Sequence, residues 1–457
     1  MFEILKTSSS LLIYVVTNPR HVGEVYRNTT TLSFDTFIQD LMLSCGTSVQ
    51  AADKSSKQPP PYPEDALMSG LNPQNKSIIN LAIDFHHIQL LPGPDSQVEY
   101  LSAKFLHEIS ESLKWDILVS DKILAGEKNS DTMETSLIKW AGSVLIKAGT
   151  KAYWGDRLWK IAPDLLDSFY EFDRGIWKLL FHYPKVFSGD ALAARDKIID
   201  ALTKYFQLPR KERDDIAWFT RSLETESRLV GLDERDMAAS TLILYFVING
   251  NTYKLCFWVL CHIITKPELL TSIKAEISQQ SMGSEPNIEH LTQSCPILNS
   301  VLQEVLRLYT SSASMRFISE DTIIGGKLLR KGRKIMIPYR QLHEDSVVWG
   351  ADSPDFEQSR WLKNASLRRN GCFRPFGGGA TLCAGRSVAQ QEVLFFVGLV
   401  LTRYNLEVVS MQGGKEGFPR VDALKPTLGM MSPVYGDDCV VKVSRRKEGE
   451  FDGSLHG

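Results

Sequence analysis

The longest apolar stretches of this chain have the spacing of helices. Asp233–Thr265 is apolar over much of its circumference, which predicts a long helix buried at the centre of the molecule. Pro267 ends that helix, and Glu268–Gln279 resumes as an amphipathic helix. A further helix begins at Cys295-Pro296, so this half of the chain is predicted to be mainly helical.

The first half of the chain follows the same periodicity. It predicts helices over His21–Asn28, Ser96–Trp115 and Glu134–Ala148, and a helical pair over Pro163–Leu179 and Gly189–Phe206. Short apolar runs predict a few strands, namely Ser10–Val16, Ile318–Ile323, Lys334–Pro338 and Cys439–Val443. The polar, proline-rich segment Ala51–Pro63 is predicted to be a mobile loop.

Composition narrows the function classes. With 457 residues and 43% hydrophobic content, the chain can bury a large core as one big domain or two to three smaller ones. A net charge of −2 argues against nucleic-acid binding and against a basic membrane-adsorbing surface. Seven cysteines without regular spacing indicate reduced intracellular thiols rather than a disulfide framework.

One segment combines a cysteine, a run of glycines and the start of a helix. Phe373–Arg386 reads FRPFGGGATLCAGR, and Cys383 has no partner at zinc spacing. Gly377 and Gly379 allow the backbone to pass closely against a flat ligand. The apolar run that follows predicts a helix, whose N-terminus would stabilise a thiolate at Cys383. Such a lone thiolate suits the iron of a haem.

The segment resembles the haem-binding loop of the cytochrome P-450 superfamily, Phe-x-x-Gly-x-Arg/His-x-Cys-x-Gly. Phe376, Gly379, Cys383 and Gly385 match it, whereas Thr381 stands where most members carry a basic residue. The resemblance extends over nearly the whole chain. It implies a mainly α, single-domain fold with small β-sheets across residues 1–457.

The resemblance also implies haem b as the cofactor, with Cys383 as the ligand of its iron. Phe376, Gly377, Gly379 and Gly385 would then shape the loop around it. Arg316 is expected to bind a haem propionate, the alternative being an exposed arginine at a strand edge. Because Thr381 supplies no charge, Arg374 or another base is expected to substitute for it.

Three charged residues are predicted to position the cysteine segment. Glu304 and Arg307 share one helix face, and alone they could be a surface pair worth about 0–1 kcal/mol. Arg360 lies in a segment that resembles the family's Pro-x-x-Phe-x-x-x-Arg element, which completes a Glu–Arg–Arg cluster. We expect this structural cluster to be buried and to anchor the loop that leads to Cys383.

The central helix departs from the family's usual proton-relaying acid–alcohol pair. By the family's spacing, Gly250 and Asn251 occupy those two positions, and Thr252 could take over if the helix is wound differently near Gly250. Asn251 can hydrogen-bond oxygen or position water but cannot deliver a proton as a carboxylic acid does. Lys254, one turn on, is expected to reach water or a carboxylate, or alternatively an acidic substrate.

The remaining candidates are weaker. Cys256, Cys261 and His262 could be taken for a metal set, but an apolar helix commonly buries such residues. Pro426–Met431, PTLGMM, resembles a pocket-lining turn that could touch substrate, and it could equally be a plain turn.

Three functions remain open. The first is a monooxygenase that oxidises a bulky apolar molecule, such as a terpenoid or another secondary metabolite, with dioxygen and reductase-supplied electrons. The segments GNTYKLCFW at 250–258 and FGGGATLCAGR at 376–386 are similar to the branch that contains sterol hydroxylases and prostacyclin synthase, and this resemblance supports such chemistry. The same branch supports the second, a redox-neutral isomerase or dehydratase that acts without a reductase. The third is a haem-binding sensor or inactive relative.

The resemblance also implies partners and a location. An NADPH-dependent flavoprotein reductase would dock near Cys383, where the chain has several basic residues, although a solvated basic face is the alternative. These are Lys363, Arg368, Arg369, Arg374 and Arg386. The chain as given has no apolar N-terminal run near the roughly 20 residues that span a bilayer. We expect the native protein to have an N-terminal anchor and to lie on the cytosolic face of the endoplasmic reticulum membrane; as given, the chain would be soluble.

Overall fold

The computed structural model describes residues 2–7, 11–59, 70–124, 129, 131–279, 285–414 and 417–446. In these ranges the helices are α1 (Pro19–Arg27), α2 (Asp35–Ser44), α3 (Val49–Ser56), α4 (Ile78–Leu90), α5 (Val98–Ser112), α6 (Trp115–Ser120), α7 (Leu137–Trp154), α8 (Arg157–Ile161), α9 (Leu165–Leu180), α10 (Gly189–Gln207), α11 (Trp218–Leu229), α12 (Glu234–Asn249), α13 (Thr252–Ile264), α14 (Pro267–Ser278), α15 (Ile288–Gln293), α16 (Pro296–Tyr309), α17 (Tyr339–His343), α18 (Ser346–Trp349), α19 (Ser359–Lys363) and α20 (Arg386–Arg403). The fold is therefore mainly α, as predicted.

Small sheets complete the fold. The strands are β1 (Phe2–Thr7), β2 (Leu11–Val16), β3 (Leu32–Ser33), β4 (Thr132–Ser136), β5 (Ala313–Ile318), β6 (Thr322–Ile324), β7 (Lys327–Leu329), β8 (Lys334–Pro338), β9 (Tyr404–Gln412) and β10 (Asp438–Arg445). Five strands form one sheet in the order β1-β2-β8-β5-β3, β4-β10-β9 form a second, and β6-β7 form a hairpin. In the first sheet β2 and β8 are parallel, with Ile13 opposite Lys334, and the other pairs are antiparallel.

The core is centred on α13. Every residue of α13 is buried, and the helix packs against α7, α16 and α20. The cysteine segment leads directly into α20, whose apolar residues Val388, Val393, Leu394, Val397 and Leu401 are all buried. The packing of α13 on α20 brings the central helix close to the cysteine segment.

Two of the predicted segments have a different structure. Residues 51–56 of the predicted mobile loop belong to α3, because the Ser48 hydroxyl caps that helix by accepting from the Ala51 N–H at 3.0 Å, and Ala51 and Ala52 are buried. Residues 57–59 are non-helical, and residues 60–63 lie outside the described ranges. Glu134 is not helical either, because it pairs with Lys442 in the β4–β10 ladder and α7 begins only after Ser136.

Two other boundaries also differ. Ile318 ends β5, and a separate strand β6 begins at Thr322, so Ile318–Ile323 is not one strand. The predicted central helix is divided at Gly250 and Asn251 into α12 and α13.

Among the described residues no single helix has both the length and the apolar character needed to cross a membrane. One bent pair, residues 234–264 with Pro267–Ser278 at 112°, meets those criteria by length and composition only.

Candidate active site

The cysteine loop, residues 373–386, is shaped by glycines and by its own backbone hydrogen bonds. The Cys383 N–H donates to the Phe376 carbonyl at 3.0 Å. Gly377 and Gly379 have φ values of 80° and 62°, which side-chain-bearing residues rarely adopt. A Cβ on Gly379 would lie 2.9 Å from the Cβ of Tyr26. The loop can therefore pass this close to α1 only with glycine at that position.

Cys383 lies at the wall of a large cavity. It is the one exposed cysteine of the seven, and it borders a cavity of about 620 Å³ with mainly apolar walls. Its exposed surface borders the cavity, and desolvation by the surrounding protein raises the pKa of its thiol, although the backbone N–H groups of Gly385 and Arg386 and the Arg386 charge act in the opposite direction. The expected effect of the helix N-terminus is thus present but outweighed by desolvation.

Arg316 is buried rather than exposed at a strand edge. It is 6% exposed, and its guanidinium donates to Thr381 Oγ1 at 2.6 Å and to Ser314 Oγ at 2.8 Å. Burial lowers its pKa, and none of its contacts among the described residues is a carboxylate. Thr381 and Ser314 border the cavity, so Arg316 lies directly behind the cavity wall.

A second guanidinium lies near the first, and both approach a tyrosine that the sequence did not single out. Arg374 and Arg316 each have their guanidinium carbon 5.6 Å from the centre of the Tyr26 ring. Arg374 is half-buried, and its Nε donates to the Gly371 carbonyl at 3.0 Å. Arg374 does not border the cavity, and its predicted role in place of Thr381 stays a prediction.

Taken together, these groups fit the haem that the resemblance implies. Cys383 offers a thiol inside an apolar cavity, and the glycines leave room for a flat group against the backbone. Arg316 is a buried cation without an anionic partner among the described residues, and a carboxylate at the cavity edge would provide one.

The structure brings Glu304, Arg307 and Arg360 together. Arg307 donates two bonds to the Glu304 carboxylate, at 2.9 and 2.6 Å, and both side chains are 0% exposed. Arg360 Nε lies 3.4 Å from the same carboxylate, and the Trp361 indole donates to it at 2.8 Å. The carboxylate is thus fully occupied, and the pair is not a surface pair.

A single histidine connects this cluster to the cysteine loop. Arg307 Nη1 donates to the His343 carbonyl at 2.9 Å, and His343 Nε2 accepts from the Arg374 N–H at 2.9 Å. Burial and, to a lesser degree, the Arg307 charge lower the pKa of His343 to about 3, so the ring is neutral and can accept. This path gives the predicted positioning role a physical route.

The central helix is interrupted at the three residues predicted to manage oxygen. Gly250 ends α12, Asn251 precedes α13, and Thr252 begins α13. Asn251 and Thr252 border the cavity, whereas Gly250 does not. Asn251 Oδ1 accepts from the Met430 N–H at 2.9 Å, and its amide N–H₂ is a donor without a partner in the described part of the chain.

Lys254 does not face the cavity. Its ammonium lies 2.8 Å from the Asp173 carboxylate of α9, and both side chains are 4% exposed. The Tyr253 hydroxyl donates to the same carboxylate at 2.7 Å. The interpretation of Lys254 as a residue that reaches a carboxylate is correct, and its carboxylate belongs to the protein.

The PTLGMM segment does border the cavity. Leu428, Gly429 and Met430 line it, as the interpretation of a pocket-lining turn required. The turn is held by the Ser311 N–H, which donates to the Gly429 carbonyl at 3.0 Å, and by the Trp258 indole on the Met431 carbonyl at 2.9 Å.

The helix residues that resembled a metal set are buried, as expected. His262 stacks on Phe356 with ring centres 3.8 Å apart, and burial raises the pKa values of Cys256 and Cys261. Within the described ranges no group of three or more His, Cys, Asp or Glu side chains could hold a metal ion.

Sequence reasoning missed one acidic residue on the cysteine side. Glu392 of α20 is 5% exposed, borders the cavity, and has no ion-pair partner among the described residues. Burial raises its pKa to about 8. A signal was available, because Glu392 is the sole charge in the apolar run 388–401.

The basic residues around the loop differ in their exposure to solvent. Lys363, Arg368 and Arg369 are exposed, and Arg386 is half-buried with its guanidinium on the Cys383 carbonyl at 2.9 Å.

Comparison with known proteins agrees with this arrangement. The sequence profile described as Cytochrome P450 matches residues 165–431, more than half of the chain. A cytochrome P450 monooxygenase of Gibberella zeae is 27% identical over 329 residues, which cover 67% of this chain and 62% of the relative. The cytochrome P450 monooxygenase nodJ of Hypoxylon pulicicidum is 25% identical over 418 residues, covering 87% and 75%. The cholesterol 7-alpha-monooxygenase of Cricetulus griseus is 25% identical over 393 residues, covering 77% and 76%. The chain therefore belongs to the cytochrome P450 family, whose members hold haem through a cysteine thiolate.

Proposed function

We propose that this protein is a monooxygenase in which Cys383 ligates the iron of haem b and a bulky apolar molecule, of terpenoid type, is oxidised with dioxygen. The observation that carries the proposal is the position of Cys383, the one exposed cysteine, in the wall of a large apolar cavity. The cavity of about 620 Å³ includes the space beside Cys383 that the haem would fill, and the substrate would occupy the remainder next to the central helix.

The bound haem supplies the activation of dioxygen. The Cys383 thiolate would hold the iron and donate electron density to it, and the cluster around Glu304 holds the loop that presents this thiolate. On the cavity wall that the central helix forms, the Asn251 amide can donate a hydrogen bond, and the Thr252 hydroxyl can pass a proton from water. In this assignment Asn251 positions a water molecule or the oxygen, and Thr252 relays a proton from water.

A redox-neutral isomerase or dehydratase is the alternative that the missing acid at the oxygen side leaves open. The relatives reported above are named monooxygenases, and these names favour the oxygen-dependent reaction. We therefore assign the electron supply to an NADPH-dependent flavoprotein reductase, which would meet the exposed cations Lys363, Arg368 and Arg369.

We also propose an association with the cytosolic face of the endoplasmic reticulum membrane. The connection between α9 and α10 carries large apolar side chains that are mostly exposed, including Phe181, Val186 and Phe187. Such a patch is typical of a surface that meets another apolar phase. Flotation with phospholipid vesicles should decrease when these three residues are replaced by serine.

The decisive experiment is the spectrum of the reduced protein under carbon monoxide, followed by turnover. A strongly red-shifted haem band shows the thiolate ligand, and product formation that consumes NADPH only with reductase present shows the monooxygenase. Rising salt should slow electron transfer more than substrate binding if the exposed cations dock the reductase. Product formation without NADPH consumption would show that the protein is an isomerase or dehydratase. A haem band without the red shift would refute Cys383 as the iron ligand.

A further inference from the structure

One face of the central helix lines the cavity along most of its length. Residues at helical spacing border the cavity, among them Met237, Ser240, Leu244, Ile248, Asn251 and Leu255. Leu244 and Ile248, in the middle of this face, are apolar. Polar side chains occur at its two ends, with Asn251 and Thr252 at one and Ser240 and Thr241 at the other. The two ends lie about 16 Å apart along the helix axis, from the rise per residue.

A second helix adds a hydroxyl group at the far end. Lys54 of α3 donates to the Gly231 carbonyl at 2.8 Å, and the Ser48 N–H donates to Asp236 Oδ1 at 3.4 Å. These bonds place α3 against the beginning of α12. Ser55, the residue after Lys54, borders the cavity and is 0% exposed. Ser55 and the Ser240–Thr241 pair therefore belong to the same end of the cavity.

None of these hydroxyl groups has a hydrogen-bond partner in the part of the chain that the structure describes. Ser55 Oγ and Ser240 Oγ are both buried without a partner, and Thr241 forms no side-chain hydrogen bond either. Buried hydroxyls are normally paired, because an unpaired one loses its hydration without compensation. A polar atom of a bound molecule would satisfy them.

The charge of the cavity wall restricts what that polar atom can be. No lysine or arginine of the described residues borders the cavity. A carboxylate buried at the serine end would consequently have no cationic partner there. Hydroxyl groups can both donate to and accept from a neutral alcohol or ketone. The apolar middle of the helix face suits a hydrocarbon body between the two polar ends.

We propose that Ser55, Ser240 and Thr241 form a specificity site for one neutral oxygen function, a hydroxyl or a ketone, at the end of the substrate remote from the carbon that is oxidised. The substrate is then a largely apolar molecule that spans about 15 Å between its recognition oxygen and its reacting carbon. This inference rests on the proposed function, since it takes the Cys383 end as the reacting end.

The test compares three steroids of one cholestane skeleton, whose ring system and extended side chain together span about 15 Å: the hydrocarbon, its 3-alcohol and its 3-carboxylic acid. Their dissociation constants are measured by equilibrium dialysis and by spectral titration with the full haem-loaded chain. We expect the alcohol to bind at least tenfold more tightly than the hydrocarbon, and the acid to gain nothing. In the double variant Ser55→Ala/Ser240→Ala the alcohol should lose this advantage while the hydrocarbon binds as before. Ser272→Ala, whose hydroxyl bonds its own helix at 2.8 Å outside the cavity, is the matched control.

Each outcome decides the proposal. A red-shifted carbonyl band together with equal affinities for alcohol and hydrocarbon would overturn the specificity site and leave the proposed function intact. Tighter binding of the acid, an alcohol preference that survives in the double variant, or no binding of any of the three would also overturn it. Absence of the red-shifted band would instead overturn the proposed function on which the inference rests.

Discussion

The two walls of the cavity are built in different ways. Behind the cysteine wall, the buried Glu304 carboxylate accepts from Arg307, Arg360 and the Trp361 indole, and His343 carries the network to the cysteine loop. The central-helix wall consists mainly of apolar side chains, and Asn251 contributes one side-chain hydrogen bond, to Met430. One wall is fixed by charge, and the other by packing.

This difference separates the rigidly held part of the site from the adaptable part. A buried charged network resists displacement, because any member left unpaired loses several kilocalories per mole. Apolar surface has no directional preference, so a wall made of it can be reshaped by substitutions of similar volume. We therefore expect changes behind the cysteine wall to abolish the cofactor site, and changes in the helix wall to alter affinity and selectivity.

The largest effect is expected at the cysteine itself. Cys383→Ser removes the sole exposed thiol and should abolish the red-shifted carbonyl band and all turnover. The measurement is the reduced carbon monoxide spectrum of the purified variant. Cys372→Ser, which changes a buried thiol one residue before the cysteine loop, is the control and should retain the band. Retention of the band in Cys383→Ser would show that another residue ligates the iron.

The next largest effect tests whether charge fixes the cysteine wall. Glu304→Gln keeps the side chain's shape but leaves the buried Arg307 without a counter-charge, and should lower the free energy of unfolding by about 3–5 kcal/mol. Urea unfolding measures it. Asp53→Asn breaks an exposed pair with Lys57 and should cost about 0–1 kcal/mol. Equal losses in the two variants would contradict the contrast between a charged network and an ordinary surface pair.

The cysteine wall also contains a buried acid without an ion-pair partner among the described residues, and the pH dependence of stability should reveal it. Burial raises the pKa of Glu392 from 4.5 to about 8, so between these values the folded protein holds a proton that the unfolded chain releases. The contribution of this group to stability is therefore fully present below pH 4.5, falls as the pH rises to about 8, and is flat above that value. Within this window the free energy of unfolding should fall by up to about 1.4 kcal/mol for each pH unit.

Glu392→Gln is the substitution that tests this pH dependence. The amide does not titrate, so the variant should flatten the profile of unfolding free energy between about pH 5 and 9, as measured by urea unfolding across that range. An unchanged slope would show that Glu392 is ionised in the folded protein.

The contrast also explains what the sequence could reveal. Glu304 and Arg307 are one helical turn apart, so local spacing indicated that they could pair, whereas the expectation of a buried cluster came from the resemblance of the Arg360 segment. Cys383 lies in a contiguous motif that could be recognised in the sequence. Contacts between residues far apart along the chain could not be predicted from such local spacing. Tyr26 meets Arg316, and Asn251 meets Met430, across distances along the chain that no periodicity connects. The contacts of Asn251 were consequently not predictable from the sequence, and the roles of Gly250, Asn251 and Thr252 on the oxygen side stay predictions.

The smallest of these effects tests how the helix wall is held. A Cβ at Gly429 would lie 2.2 Å from Asn251 Oδ1, and the turn cannot retreat because Ser311 holds the Gly429 carbonyl at 3.0 Å. Gly429→Ala should rotate Asn251 away from Met430, lower the free energy of unfolding by about 1–3 kcal/mol, and weaken substrate binding while the carbonyl band persists. Gly189→Ala is the control, because a Cβ there meets nothing within 4 Å, and it should be neutral or slightly stabilising. If Gly429→Ala destroyed the thiolate band instead, the two walls would be coupled, and the separation between a fixed cofactor side and an adaptable substrate side would not hold.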